Sequence, residues 1–314
     1  MRETGRTYFE RNEANPLEED LIIVDEASML DISLFYHLLC ALKDGARLIL
    51  VGDIDQLPPV GAGEPLKDLM SWGYVPIVRL KRIFRQEEGS GIVENAALIR
   101  KGEMCVPDEA GEFRIVYAAD DEDAYRIVMD LCRELNYGNE ENKMLLQVLS
   151  PMYRGVCGVD HLNESLQEMI HGEKVPDGMK FFPGDKVMQT RNDYEKGIYN
   201  GDVGTVWTAT PQKVFVRYFD KEVVYEGEER FDLRLAYAVT VHKSQGSEYE
   251  TVIFILRPSQ HNMLQRNLLY TGVTRARKNT ILVTAPDALR RALAIQHTGN
   301  RYSLFLPFLN HEAL

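Results

Sequence analysis

Two adjacent carboxylates follow a short apolar segment near the start of the chain, where residues 21–28 read LIIVDEAS. A strand that ends in Asp25 and Glu26 can supply both carboxylates that a nucleoside triphosphatase needs. Asp25 can hold Mg²⁺ through its water shell, while Glu26 orients and deprotonates the attacking water. The structural alternative is a strand followed by a helix whose first turn favours acidic residues. The pattern favours the catalytic interpretation.

A side-chain amide, Gln56, lies in the next polar segment, where residues 50–61 read LVGDIDQLPPVG. Gln56 can hydrogen-bond a γ-phosphate or its attacking water, and Pro58 and Pro59 stiffen the loop that follows. The alternative is a well-made turn without a ligand. Because the segment comes one strand after the acidic pair, we favour a role in sensing the nucleotide.

The elements that position these residues have an α/β pattern. The apolar runs at 21–24 and 47–51 predict parallel strands buried on both faces, and the spacing over Asp31–Leu42 predicts a helix between them. Val75–Leu80 is predicted as a third strand. Ligands of such sheets bind at the carboxyl ends of the strands, where these polar residues lie.

The same pattern restarts after residue 105 and predicts a second α/β domain. We predict helices at 91–100, 121–135, 159–170 and 262–273, and strands at 113–117, 144–149, 237–240, 251–256 and 280–283. Between 185 and 232, short β-type runs broken by turns such as Asn200-Gly201 predict a small inserted β-barrel. The predicted domains are 1–105, then 106–184 with 233–314, and the barrel at 185–232.

Bulk composition is that of a soluble globular protein, with 45% hydrophobic and 27% charged residues among 314. A net charge of −12 argues against a histone-like polyanion binder, although a motor can grip a strand in one local channel. No apolar run approaches the roughly 18 residues of a membrane span, and the polar N-terminus resembles no signal peptide. The scattered cysteines indicate a reducing cytoplasm and are expected to be buried: Cys40, Cys105, Cys132 and Cys157.

The VDEAS and GDxxQLPPV segments resemble motifs II and III of superfamily 1 helicases, specifically those of the RecD-like (exodeoxyribonuclease V alpha chain) family. Three later segments are similar to further motifs in family order: LKRIFRQ at 80–86 to motif IV, VTVHKSQGSE at 239–248 to motif V, and LYTGVTRAR at 269–277 to motif VI. The match covers about residues 15–286, and five motifs in one order are far more specific than any single one.

This resemblance implies a fold and an activity. The fold is two RecA-like P-loop NTPase-type domains, the first truncated, with an SH3-like barrel (subdomain 2B) inserted in the second. The activity is that of an ATP-dependent 5′-to-3′ DNA helicase motor of recombination and repair. ATP with Mg²⁺ is then the cofactor, single-stranded DNA the ligand and other recombination-repair subunits the candidate partners, with no membrane partner.

The resemblance also implies nucleotide-site roles for four further residues. Arg85 and Arg275 would stabilise transition-state charge on the γ-phosphate. Gly246 and Glu248 would face the nucleotide, with Glu248 accepting a hydrogen bond from a ribose hydroxyl. An arginine in the setting of Arg85 is more often a surface cation, so its role depends on the resemblance.

Strand-binding roles are implied in the same way. Thr240 and His242 would face the backbone of a single strand, although a lone histidine is usually structural. Arg154 could contact phosphate, and Tyr153 could stack on bases. Tyr194 and Tyr199 are further stacking candidates, with packing of the barrel as the alternative for all three tyrosines.

A phosphate-binding loop ends in Gly-Lys-Ser/Thr, and that sequence occurs nowhere in the chain. In the family the loop lies upstream of motif II, where 20 residues precede Leu21. We therefore expect a fragment, an interrupted gene or a truncated gene model, with negligible ATPase activity and an apolar sheet edge prone to pairing.

Two alternatives to the motor stay open: a single-stranded nucleic-acid-binding module that has lost hydrolysis, and a subunit whose loop comes from another polypeptide. The intact Asp25, Glu26 and Gln56, together with Arg85 and Arg275, argue against long-standing decay, because binding alone needs none of them. A GK[ST]-encoding segment immediately upstream in the DNA would indicate truncation. We do not assign nuclease activity, because no spare cluster of carboxylates with a lysine stands outside the motor motifs.

Overall fold

The structure, a computed structural model, describes residues 9–80, 89–296 and 305–310. It divides into two compact units, one comprising Met1–Arg82 with His297–Leu314 and the other Ile83–Gln296. Among the described residues, no helix is long and apolar enough to cross a membrane.

The first unit contains a pair of parallel strands, β1 (Leu21–Val24) and β2 (Arg47–Leu50). They are connected through α1 (Ile32–Cys40), whose first turn is capped because the Asp31 carboxylate accepts a hydrogen bond from Leu34 N at 2.8 Å. Two further helices, α2 (Pro65–Trp72) and α8 (Phe305–Leu309), pack on each other. Predicted positions of β1, α1 and β2 are thus close to those observed.

Two expectations for this unit are wrong. Burial of β1 and β2 on both faces does not occur among the described residues: Leu21, Ile23 and Ile49 share one face and are 47%, 61% and 46% exposed. The segment 75–80 forms no strand, and Val78 and Leu80 are largely solvent-exposed. β-branched residues alone therefore did not suffice to place a strand in the sheet.

The second unit is built on a parallel five-stranded sheet with the order β10-β4-β11-β12-β3. Its strands are β3 (Phe113–Tyr117), β4 (Leu146–Ser150), β10 (Ala238–Thr240), β11 (Tyr249–Leu256) and β12 (Ala276–Thr284). Its helices are α3 (Gly91–Lys101), α4 (Asp121–Glu134), α5 (Val159–His171), α6 (Arg266–Val273) and α7 (Pro286–Ala294). The apolar runs of β4 and β11 are buried, as strands covered on both faces require.

The register of this sheet fixes which chain segments meet at its edges. Thr240, the last residue of β10, pairs with Ser150, the last residue of β4. At the other end of β4, Leu146 pairs with Thr251 of β11. The residues that follow β4 and β10 therefore leave the sheet side by side at its carboxyl edge.

An antiparallel five-stranded sheet with the order β8-β7-β6-β5-β9 lies between α5 and β10 in the sequence. Its strands are β5 (Lys186–Gln189), β6 (Val203–Ala209), β7 (Lys213–Arg217), β8 (Glu222–Glu226) and β9 (Leu233–Leu235). A separate apolar core that includes Val206, Val216 and Tyr225 holds it together. We refer to residues 185–235 as the insert.

The unit boundary differs from the predicted domain boundary at residue 105. The second unit begins at Ile83 and includes α3, because α3 packs on α6 and β12 and buries Ile92 and Ile99. The placement of the chain end also differs from the predicted domains, because α8 belongs to the first unit. There the Phe305 and Phe35 rings pack edge-on, with their centroids 5.8 Å apart.

The cysteines are free thiols. Cys105, Cys132 and Cys157 are buried as expected, and burial raises the pKa of each to about 12. Cys40 is only half-buried, so the expectation of complete burial is wrong for that residue.

The insert begins with two adjacent charged residues that are fully buried, Asp185 and Lys186. The Asp185 carboxylate accepts hydrogen bonds from Tyr237 Oη at 2.9 Å and Phe182 N at 2.7 Å, and also pairs with His171. Lys186 Nζ donates to Leu146 O at 3.0 Å and to Gln147 Oε1 at 2.9 Å. These bonds fasten the start of β5 to β4 and to the segment leading into β10.

Lys186 makes stability depend on pH. Burial, reinforced by the nearby Lys143, lowers the pKa of Lys186 to about 7, below the unfolded value of about 10.4. Above pH 7 the unfolded chain binds a proton that the folded chain does not, so this residue makes the free energy of unfolding rise with pH, by up to about 1.4 kcal/mol per unit. We predict that Lys186→Met removes this rise between pH 7 and 9, measured from urea unfolding.

The matched control for that experiment is Lys174→Met, which replaces an exposed lysine of the same unit. This control should keep the wild-type pH dependence, whereas the same pH dependence in Lys186→Met would contradict the prediction.

Candidate functional site

The predicted catalytic carboxylates lie at the carboxyl end of β1 in a strained turn. Glu26 has φ 50° and ψ 37°, a left-handed conformation that costs a non-glycine residue about 1 kcal/mol or more. Asp25 Oδ1 accepts a hydrogen bond from Glu26 N at 2.8 Å, and Glu26 O accepts one from Met29 N at 2.9 Å. The turn holds two successive acceptor-only side chains at a strand end, a donor set suited to hydrated Mg²⁺.

The segment after β2 is in contact with this turn. Ala27 N donates to Val51 O at 2.7 Å. A Cβ on Gly52 would lie 2.8 Å from Ser28 N and 2.9 Å from Leu66 Cδ2. Because real Cβ atoms do not approach so closely, the contact requires glycine at position 52.

Gln56 lies beside the same turn. It lines a small cavity of about 20 Å³ together with Ser28, Glu64 and Lys67, which is room for about one water molecule. Ser28 Oγ is buried there, with no hydrogen bond to any of the residues described. The structure therefore brings Gln56 to Ser28, two residues after Glu26. Ser28 was not among the residues predicted to be functional, although its place in VDEAS was a usable signal.

Arg85, predicted to stabilise phosphate charge, and the rest of segment 81–88 lie outside the described residues.

In the second unit, the predicted strand-binding residues emerge together at the carboxyl edge of the parallel sheet. Tyr153 and Arg154 follow β4 in an exposed loop. The loop folds back on α5, because Asp160 N donates to Tyr153 O at 3.0 Å and a Cβ on Gly158 would lie 2.5 Å from the same oxygen. Thr240 ends the neighbouring strand β10 and is buried, with Oγ1 accepting from Lys243 N at 3.2 Å.

The connection from β10 to β11, residues 241–248, contains His242 and Lys243. His242 is half-buried, and burial lowers its pKa, so at neutral pH it is an uncharged hydrogen-bonding group rather than a cation. Lys243 Nζ donates to Asn200 Oδ1 in the insert at 2.6 Å. Lys243 had no predicted role, because no sequence pattern indicates a bond between two residues that are 43 positions apart.

The predicted nucleotide-binding residues lie at the other end of this connection, next to the starts of β11 and β12. Gly246 has φ +76°, which favours glycine, and Glu248 directly precedes β11. Arg275 is buried between α6 and β12, and its Nη1 donates to Ser247 O at 3.3 Å. The structure therefore brings Arg275 to the segment that contains Gly246 and Glu248.

Glu248 also has a side-chain partner that was not predicted from the sequence. Arg277 Nε donates to Glu248 Oε2 at 2.7 Å, and both side chains are partly exposed. Since such a surface pair is worth 1 kcal/mol or less, a ligand hydroxyl can compete for the carboxylate.

A groove of about 1050 Å³ lies between the insert and the carboxyl edge of the parallel sheet. Its sheet side is lined by Tyr153, Arg154, Asp160 and Lys243. Its insert side is lined by Thr190, Arg191, Arg234, Phe231 and three carboxylates, Glu228, Glu229 and Asp232. The groove thus combines aromatic rings with cations, the two kinds of group that bind an unpaired strand.

Tyr194 and Tyr199 lie in the insert loop between β5 and β6. Both are exposed, and their rings pack edge-on with centroids 6.1 Å apart. They do not line the groove.

Three protein-family models match segments of the chain. Residues 4–114 match the AAA domain, residues 162–218 match the ATP-dependent RecD-like DNA helicase SH3 domain, and residues 235–283 match the UvrD-like helicase C-terminal domain. These matches, together with the parallel and the antiparallel five-stranded sheets described above, confirm the predicted α/β fold with RecA-like and SH3-like domains.

Two curated proteins are similar over nearly the whole chain. The ATP-dependent RecD2 DNA helicase of Deinococcus radiodurans is 37% identical over 96% of the chain and 41% of its own length. The RecBCD enzyme subunit RecD of Mycolicibacterium smegmatis is 33% identical over 94% of the chain and 56% of its own length. The chain therefore spans about half the length of these relatives.

A solved structure has the same fold. The crystal structure of a Pif1 helicase from Bacteroides in complex with ADP-AlF3 and ssDNA superposes with a TM-score of 0.58. The overlap covers 98% of the chain and 79% of that structure at 21% identity.

The close approach at Gly52 predicts a measurable loss of stability. Gly52→Ala places a methyl group against Ser28 N, so one of the two loops must shift, at a cost of about 1–3 kcal/mol. The chain has two tryptophans, Trp72 in the first unit and Trp207 in the second. In a Trp207→Phe background, the fluorescence of Trp72 should show a lower urea midpoint for Gly52→Ala.

Gly138→Ala is the comparison variant, because its methyl group would meet only side-chain atoms of Ile170, at 3.2 Å or more. It should leave the Trp72 transition unchanged. An unchanged midpoint in Gly52→Ala would contradict the contact.

Proposed function

We propose that the chain, which is similar to RecD2 and RecD proteins, belongs to the RecD-like family of superfamily 1 helicases. It then forms part of an ATP-dependent 5′-to-3′ DNA helicase motor that acts in recombination and repair. The observation that carries the proposal is the connection 241–248. It joins the carboxyl edge of the sheet, near Arg154, to the segment held by Arg275. A motor needs such a link between the groups that grip a strand and the groups that respond to a nucleotide.

ATP with Mg²⁺ fits the donor set of the first unit. Asp25 would hold Mg²⁺ through water, and Glu26 would orient the attacking water and accept its proton. Gln56 would hydrogen-bond the γ-phosphate or that water. When bound, ATP supplies the phosphoryl group whose transfer to water drives the cycle.

Four residues later in the chain have further proposed roles toward the nucleotide. Arg275, with Arg85, would stabilise negative charge on the transferred group. Glu248 would accept a hydrogen bond from a ribose hydroxyl, in competition with Arg277. Gly246 would allow the nucleotide to approach the backbone.

Single-stranded DNA is the proposed ligand of the carboxyl edge. Arg154 would contact phosphate, Tyr153 would stack on a base, and His242 and Thr240 would hydrogen-bond the backbone. Other subunits of a recombination-repair complex are proposed partners, by likeness to a relative that is named as a RecBCD enzyme subunit.

A non-hydrolysing strand-binding module is the second candidate function. It is favoured by the lack of any Gly-Lys-Ser/Thr sequence among the 314 residues. The strained turn that presents Asp25 and Glu26 favours the motor, because strand binding alone gives no reason to keep such a conformation.

We predict that the purified chain by itself does not turn over ATP, with or without oligonucleotide. The reason is that Gly-Lys-Ser/Thr supplies the lysine and the backbone N–H groups that hold the phosphates. Phosphate release in a steady-state assay measures this. The Glu26→Gln variant is the control for contaminating enzymes. Multiple turnovers that disappear in Glu26→Gln would contradict the prediction.

We further predict that Arg154→Ala weakens binding of a single-stranded oligonucleotide. Loss of one phosphate contact should make the slope of log K against log salt less negative by about 0.7. Fluorescence anisotropy at several salt concentrations measures this slope. Arg126→Ala, which removes an exposed arginine of α4, is the matched control and should keep the wild-type slope. Equal slopes for all three proteins would count against Arg154 as a phosphate contact.

A further inference from the structure

Phe231 is a large aromatic side chain that the fold leaves in water. It lies in the short 3₁₀ turn Gly227–Asp232 between β8 and β9, and its side chain is 72% exposed. An exposed phenylalanine gives up the stabilisation that burial would bring. Phe219, at the β7–β8 turn, is likewise exposed, but of the two only Phe231 lines the groove.

The two walls of the groove carry opposite charge. The sheet side has two cations, Arg154 and Lys243, and one carboxylate, Asp160. The insert side has three carboxylates and two arginines. Ion pairs offset charges of both signs: Arg191 Nε lies 3.4 Å from Asp232 Oδ1, and Arg234 lies 3.9 Å from Asp160. On the insert side Glu229 also pairs with Lys196, at 2.5 Å. The groups outside these pairs are Arg154 and Lys243 on the sheet side and Glu228 on the insert side.

This asymmetry fixes how a strand can lie in the groove. Phosphates are attracted to Arg154 and Lys243 and repelled by Glu228 of the insert wall. The bases then face the insert wall, where Phe231 offers a ring face and the carboxylates can accept hydrogen bonds from base amino groups.

We propose that Phe231 is a base-stacking residue for one unpaired nucleotide in this groove, with the sugar-phosphate backbone along Arg154 and Lys243. The proposal rests on the proposed strand-binding function and adds to it a residue, a side of the groove and an orientation of the strand. Tyr153 on the facing wall is the other ring that a base in the groove can meet.

The test uses the full chain and two fluorescein-labelled 12-residue strands, one of mixed sequence and one with an abasic spacer at every position. Base–aromatic stacking is worth about 1–3 kcal/mol, which corresponds to about 5- to 150-fold in affinity. Phe231→Ala should therefore bind the strand that carries bases at least about fivefold more weakly than wild type, and the abasic strand equally well. Phe231→Tyr should keep the wild-type affinity for both.

Phe219→Ala is the matched control, because it removes another exposed phenylalanine of the insert, one that does not line the groove. It should bind both strands as wild type does. The abasic strand with wild-type protein is an independent measurement that no folding defect affects, and it should bind more weakly than the strand with bases.

Three results would overturn the stacking proposal. Wild-type affinity of Phe231→Ala for the strand with bases excludes stacking on this ring. Equal weakening for both strands assigns Phe231 to folding or to the backbone path. If wild-type protein binds the strand with bases but Phe219→Ala and Phe231→Ala weaken it alike, the effect is a general one of the insert. By contrast, if wild-type protein binds neither strand, the strand-binding function itself fails.

Discussion

The parallel pairing of β4 with β10 is the constraint on which the arrangement of the second unit depends. Ser150 and Thr240 end the two strands in register, so the loop with Tyr153 and Arg154 and the turn with His242 and Lys243 start next to each other. β4 is only five residues long, so its two ends are about 13 Å apart. A single connection, residues 241–248, spans that distance to reach the start of β11 beside Arg275.

Several local features serve this geometry at some cost to stability. Asp185 and Lys186 are removed from water, and burial of a charged group is unfavourable unless hydrogen bonds replace the lost hydration. Here the hydrogen bonds of Asp185 and Lys186 join β5 to β4 and to the segment before β10. They thereby hold the insert against the parallel sheet. The Lys243–Asn200 bond adds a second attachment, at the point where the connection 241–248 passes the insert. The groove is the space left between these attachments.

Long apolar segments made most of the second unit predictable. β4, β11 and β12 were located because a strand covered on both faces must be apolar at nearly every position. The insert was located by its turns, since glycine and asparagine mark chain reversals. The prediction of a strand at 75–80 was wrong because β-branched residues form a strand only where a partner strand is available. The place of α3 in the second unit depends on contacts with α6, about 175 residues away in the sequence, which no local pattern encodes.

Candidate site residues could be predicted where the chemistry requires particular residue types at the end of a strand. Contacts between residues far apart in the sequence could not be predicted. Asp25, Glu26 and Gln56 were chosen from strand ends, and their roles, like those of Arg275 and Glu248, remain predictions. The Arg277–Glu248 pair and the position of Phe231 on the groove wall depend on register and tertiary packing. Neither the spacing nor the composition around Phe231 distinguishes it from Phe219.

The central claim is that the loops after β4 and β10 together form the strand-binding edge of the second unit. Hydrogen exchange followed by mass spectrometry tests this directly, with and without a saturating single-stranded oligonucleotide. We expect slower exchange in peptides covering residues 151–158 and 240–247, and unchanged exchange in α3, which packs on α6, β12 and β3. Unchanged exchange in both loops while the oligonucleotide is bound would contradict the account.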